Sequence, residues 1–352
     1  MRLLARVGGL SIAIALTLAL GGCGQDEPAP QNTIAAPTGD PLAGDPLQRA
    51  AEANAQGARD NAAAKFPGLD TPNPRAQATD KTTVGPDGRP QGQDDAATST
   101  ATAPQSLLRA GSRSSFRRLE ARLGGSSGIA IAASVAGPTA TLGELRSGPA
   151  WSTIKVAIAM ATEEADGGHP DTATDGLIAR ALTASDNAAA AQLWDQLGPQ
   201  AGQRTQQQLR AAGDVSTTVQ TQRVRAEFSP FGQTDWSTLD QARFAAALPC
   251  LPHSGPVLSL MGQVQADQRW GLGSAGVPAR FKGGWGPDAG GRYLVRQFGL
   301  LTLHGRQVAV AIATKPADGQ FATATSNLDQ IAGWAVQHIN PTALSNTTCP
   351  NR

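Results

Sequence analysis

Three lysines follow residue 100, and the company two of them keep is where chemistry is expected. Lys155 stands in Trp151-Ser152-Thr153-Ile154-Lys155, at the head of an apolar stretch. A spacing of three on a helix puts its amine one turn from the Ser152 hydroxyl, on the same face. A hydroxyl is a poor nucleophile until a base removes its proton, and an amine desolvated among helices can have its pKa lowered enough to be that base. A helix N-terminus at Ser152 would add partial positive charge where an oxyanion forms. Taken alone the pair is a weak signal, and Ser152 as a plain helix cap is then the favoured reading. Two further clusters change the weighing: Ser185-Asp186-Asn187 between two helical segments, and Lys282-Gly283-Gly284 near the end of the chain.

The elements that must position these residues can be read from periodicity. Ser106 to Leu123 suits an amphipathic first helix, and Gly128 to Val135 a strand. Helices are then expected over Ser152 to Ala165, Thr174 to Leu182, Asn187 to Leu197, Gly202 to Ala212 and Leu239 to Leu248. Two strands, Tyr293 to Leu303 and Gln307 to Ala313, flank His304-Gly305, and a helix over Thr325 to Ile339 follows. This order predicts an α/β sandwich with an all-α subdomain inserted between sheet strands. No tandem repeat is visible.

All six Trp lie at or after Trp151 and seven of eight Phe at or after Phe116, so one C-terminal core is expected over 105–352. Residues 24–104, rich in Ala, Pro, Gly, Gln, Asp and Thr, hold Phe66 as their one aromatic; they cannot bury enough surface to offset ordering entropy and predict a disordered tether. Before it, Arg2 and Arg6 precede an apolar run from Val7 to Leu20, the pattern of a signal peptide over 1–22. Leu20-Gly21-Gly22-Cys23 resembles the bacterial lipobox, which makes Cys23 a lipidated mature N-terminus and places the chain on the outer face of the cytoplasmic membrane; a plain secretory signal with a chance Cys is the alternative. Cys250 and Cys349 then form an even pair in an oxidising compartment, either bonded, tying the tail to the body, or free.

Other candidates carry less. A formal net charge of +1 with neither sign clustered gives no reason to expect nucleic acid as a partner. Two Cys without clustered His offer too few ligands, so no metal or other cofactor is expected. His169, His253, His304 and His338 are scattered, and Gly271, Gly273 and Gly276 lack the Lys-Ser/Thr of a phosphate loop. Trp151 and Trp285 flank the proposed site, where they either stack on a substrate ring or fill space.

The three clusters, in this order, resemble the Ser-x-x-Lys, Ser-Asp-Asn and Lys-Thr-Gly elements of class A β-lactamases and penicillin-binding proteins. Leu177 to Pro199 is similar to that family's helix, Ser-Asp-Asn turn and following helix; Phe298 to Ala313 is similar to its final hairpin, and Asn327 to His338 to its last helix. The resemblance spans about Gly128 to Ile339 and implies the family's antiparallel sheet flanked by helices. It also implies Ser152 as acylated nucleophile, Lys155 as its activator and Ser185 as proton relay. Asn187 would bind the substrate amide and Lys282 its carboxylate, with Ser152 and Trp285 N–H groups as the oxyanion hole. Asp186 is expected to be structural, turned inward to fix the loop.

Three departures qualify this. Gly283 replaces the hydroxyl residue that binds the substrate carboxylate, leaving Lys282 alone or implying a substrate without that group. The interval from Ser152 to Ser185 is shorter than in typical class A enzymes, which predicts a more open cleft. No Glu-x-x-x-Asn occurs between Thr217 and Asp240, where Glu227 is the one carboxylate before Asp235; Gln233 to Thr238 resembles the end of the loop that carries that Glu in the family. Without that base an acyl-enzyme would persist. The expected partner is a small-molecule or peptidoglycan-derived amide, or a β-lactam, and the expected function is a surface serine hydrolase or acyltransferase. The alternative is a binding lipoprotein that kept the fold and lost turnover.

Overall fold

The computed structural model describes residues 106–344 and Cys349. The expected signal peptide, Cys23 and tether lie outside the described residues.

Among the described residues five strands form one antiparallel sheet: β1 (Ser126–Ala132), β2 (Thr139–Gly143), β3 (Ala279–Pro287), β4 (Tyr293–Leu303) and β5 (Arg306–Lys315), in the order β2-β1-β5-β4-β3. Among the described residues eight α-helices surround it: α1 (Ser112–Leu123), α2 (Lys155–Ala165), α3 (Thr172–Thr183), α4 (Asn187–Gln196), α5 (Ala201–Ala211), α6 (Thr238–Ala247), α7 (Ser254–Met261) and α8 (Phe321–His338). Helices α2 to α7 fall in sequence between β2 and β3, so the all-α insertion is as the sequence predicts.

Strand alternation splits the sheet into two unlike faces. Ile129, Ile131, Val295, Leu301, Val308, Val310 and Ile312 share one core with α1 and α8, where Phe116 meets Trp334 edge to face at 4.9 Å. The opposite face carries Ala130, Ala132, Ala309 and Ala311. These small side chains let α6, itself lined by Ala242, Ala245 and Ala246, approach β1, β4 and β5 closely. Phe298, on the same face, packs with Trp236 and Phe244, joining sheet to helical block.

Three elements escaped the periodicity reading. β2 is only five residues long, α7 is a short, broadly apolar helix, and β3 carries Gly283, Gly284, Gly286 and Pro287, residue types depleted in strands. Lys282-Gly283-Gly284 therefore lies inside an edge strand rather than before the closing strands. The first helix also begins later than its amphipathic pattern suggests. Leu108 bridges to Ile339 and Arg109 N–H donates to His338 O, so residues 107–109 run extended beside the end of α8. Cys250 and Cys349 are bonded, with Cα atoms 5.3 Å apart.

Candidate active site

Ser152 sits not at the start of an α-helix but in a 3-10 turn, Trp151–Ile154, that runs into α2 at Lys155. The turn lacks a side-chain cap, so the helix-cap reading of Ser152 fails. Trp151 holds φ at +50°, a left-handed conformation uncommon for a bulky residue. Lys155 N–H donates to the Ser152 carbonyl, which keeps the two residues on one face of the turn.

The Lys155 side chain is 1% exposed. Its Nζ donates to Ser185 O at 2.5 Å and to Asn187 Oδ1 at 2.7 Å. Burial pulls its pKa down to about 7, against the opposing pull of the Asp186 charge. A neutral amine has two N–H bonds and one lone pair. With both hydrogens directed at oxygens, the lone pair is left for a proton.

Ser185 lies between α3 and α4 with φ at +60°, a left-handed kink that directs its carbonyl to Lys155 and its hydroxyl to Lys282. Asp186 is structural, yet it does not turn inward: it caps α4 by accepting Ala189 N–H at 3.0 Å and pairs with exposed Arg180 at 3.2 Å. Lys282, fully buried, donates to Ser185 Oγ at 2.8 Å and to Gly283 O at 3.0 Å. Burial, reinforced by the Lys155 charge, holds its pKa well below the ordinary lysine value.

β3 brings Lys282 and the nucleophile turn together. A Cβ on Gly284 would lie 2.8 to 2.9 Å from Ala150 O, Ser152 N and Thr153 N, so only glycine lets the strand press on that turn. β3 has a sheet neighbour on one side only. Alternate amides of an edge strand point away from the sheet, and Trp285 follows Gly284 on this edge.

A buried arginine missed by the sequence reading braces the turn from behind. Arg296, on β4 opposite Gly284, is 1% exposed and has no carboxylate partner among the described residues. Its guanidinium donates to Gln241 Oε1 at 2.7 and 3.1 Å, to Trp236 O at 2.8 Å, and to Gly148 O and Pro149 O at 2.7 and 3.1 Å. Gln241 in turn donates to Thr153 Oγ1 at 2.8 Å, and Thr153 Oγ1 to Ala150 O. Burial lowers the Arg296 pKa to about 9 despite the Asp235 charge. An Arg inside a strand of apolar residues was the available signal for this role.

The loop after α5 closes beside the turn. Asp214, buried, accepts from Ser216 N, Thr217 N and Trp236 Nε1, and Ala150 N–H donates to Thr234 O at 2.7 Å. Phe228 meets Trp151 edge to face at 4.9 Å. Glu227 faces Arg225, 2.6 Å away, which also reaches Pro287 O. Among the described residues no carboxylate hydrogen-bonds to Ser152, Lys155, Ser185 or Lys282, and no group of three His, Cys, Asp or Glu is placed to hold a metal.

No protein-family model matches the chain, and no curated protein matches its sequence. Solved structures do match in shape. A class A β-lactamase from Mycobacterium abscessus superposes with TM-score 0.54 at 16% identity, covering 64% of this chain and 98% of that one. A β-lactamase from Burkholderia vietnamiensis gives 0.53 at 18% identity, covering 65% and 96%, and a structure titled PBP-A gives 0.51 at 18%, covering 65% and 95%. The chain thus has a β-lactamase-like α/β fold. At these identities the likeness extends to the fold alone.

Proposed function

We propose that this protein is a cell-envelope serine hydrolase or acyltransferase that forms an acyl-Ser152 intermediate from an amide of the β-lactam or peptidoglycan type, tethered to the membrane through lipidated Cys23. The observation that carries the reading is the Lys155 amine. It is buried without a hydrogen-bonded carboxylate, tuned to about 7, and directs its two donors at Ser185 O and Asn187 Oδ1. Such an environment is costly for a structural lysine and suited to a general base.

Lys155 takes the proton from Ser152 Oγ as the oxygen attacks the carbonyl carbon. The Ser152 O–C bond forms, the C–N bond breaks, and the leaving nitrogen takes the Ser185 hydroxyl proton. The ammonium formed on Lys155 then restores the proton of Ser185, so the proton from Ser152 ends on the leaving amine. The N–H groups of Ser152 and Trp285 serve the oxyanion, and Asn187 the substrate amide.

One observation favours the second reading, a binding lipoprotein without turnover: among the described residues no carboxylate hydrogen-bonds to Ser152, Lys155, Ser185 or Lys282, where it could activate water. Nitrocefin separates the two. A burst of about one equivalent without steady turnover supports acylation with slow deacylation, whereas no ring opening at millimolar reagent sinks the acyl-enzyme reading. Metabolic labelling with an alkynyl fatty acid tests the anchor; label retained in Cys23→Ser would contradict it.

A further inference from the structure

Gly283 lacks the hydroxyl with which relatives of this motif would hold a substrate carboxylate, and the structure shows what stands there instead. The Trp270 ring lies 3.0 Å from where a Cβ on Gly283 would be, so a hydroxyl side chain at 283 meets the indole before any ligand. Trp270 is held firmly. Gln297, the register partner of Gly283 on β4, accepts from Leu272 N at 2.7 Å and donates to Trp270 O at 2.8 Å. Asp329 on α8 anchors the same segment through Gly271 N at 2.5 Å and Ser274 Oγ at 2.7 Å. Trp270 meets Trp285 edge to face at 5.9 Å, and both rings are partly exposed at the edge of β3, with buried Phe321 behind them.

The remaining anion-binding group is also committed. Lys282 Nζ spends its donors on Ser185 Oγ and Gly283 O, and the side chain is 0% exposed. Its burial beside Lys155 lowers its pKa, which weakens its hold on the charge a carboxylate would need.

We infer that this site takes a neutral amide or lactam, without a carboxylate beside the scissile nitrogen, whose apolar or ring face lies on Trp270 and Trp285. An indole platform gives area to such a face and offers an anionic group no compensation for its lost hydration. The inference rests on Ser152 being the reactive centre, but it concerns binding and is tested without chemistry.

The full chain carrying Ser152→Ala is titrated by calorimetry with benzylpenicillin and with its methyl ester. The ester is expected to bind about tenfold tighter, a difference that falls to about threefold or less on adding Trp270→Ala. Adding both Gly283→Thr and Trp270→Ala, which makes room for a hydroxyl, is expected to shift preference towards the free acid. Equal affinity, tighter binding of the acid, or no binding of either overturns the inference. If the ester binds and the unsubstituted protein forms no adduct, the acyl-enzyme reading falls and this one stands.

Discussion

Lys155 Nζ stands 2.5 Å from the carbonyl oxygen of Ser185, a contact between the first turn of α2 and the kink that separates α3 from α4. Lys282 reaches the hydroxyl of the same serine from β3. Ser185 thus links two buried amines, and the proton economy of the site depends on it.

The pH dependence of acylation follows from the Lys155 amine. Its pKa of about 7, set by burial, means the reactive neutral form is lost as pH falls below that value. The rate of Ser152 acylation is expected to fall about tenfold per pH unit below 7 and to level off above it. The same shift makes the contribution of Lys155 to stability rise with pH between about 7 and the ordinary lysine value, because the unfolded chain binds its proton more tightly. A pH-independent rate from 5 to 9 would remove Lys155 as the base.

Gly284→Ala tests the contact between β3 and the nucleophile turn. A methyl group there has no room against Ala150 O, Ser152 N and Thr153 N. Acylation is expected to fall at least about a hundredfold, more than Gly255→Ala, at an open helical position, would cause. Equal rates for the two variants, by mass spectrometry, would contradict the account.

Arg296→Met keeps the apolar stem and removes five donated hydrogen bonds. It leaves the carbonyls of Pro149 and Trp236 and the Gln241 amide oxygen without that donor, while Gly148 O keeps the Trp236 N–H, a loss on the order of 3 kcal/mol in denaturant unfolding. Because Gln241 also holds Thr153, acylation is expected to slow about tenfold in the molecules that remain folded. Arg296→Lys should recover part of the stability and little of the rate, since an ammonium cannot reproduce the planar fork.

Cys250 and Cys349 are 99 residues apart, and their bond constrains a long loop of the unfolded chain. Cys349→Ser is expected to cost about 4 kcal/mol, read as a lower denaturant midpoint that matches the reduced parent protein. The two midpoints coinciding with that of the oxidised protein would show that the bond contributes nothing.

Much of this was legible in the residues. Ser152, Lys155, Ser185, Asn187 and Lys282 stood out because a proton-transfer set needs those types, and the structure brings Lys155, Ser185, Asn187 and Lys282 into direct contact. β3 was missed because the glycines that let it press against Ser152 and lie under Trp270 erase the β-branched signature of a strand. Arg296 was missed because a guanidinium satisfied wholly by carbonyl oxygens leaves no charge pair to find in sequence. Trp270 could not be connected to Gly283, since the contact depends on how Gln297 folds the intervening segment back.

The most direct test incubates the protein at pH 8 with a fluorescent penicillin and maps the modified peptide by mass spectrometry, alongside Ser152→Ala and Lys155→Met. The account predicts the mass of the ring-opened reagent on Ser152 in the unsubstituted protein, none on Ser152→Ala, and at least about a thousandfold slower labelling of Lys155→Met. Labelling at another residue, labelling undiminished in Lys155→Met, or no labelling of the unsubstituted protein at millimolar reagent would contradict it.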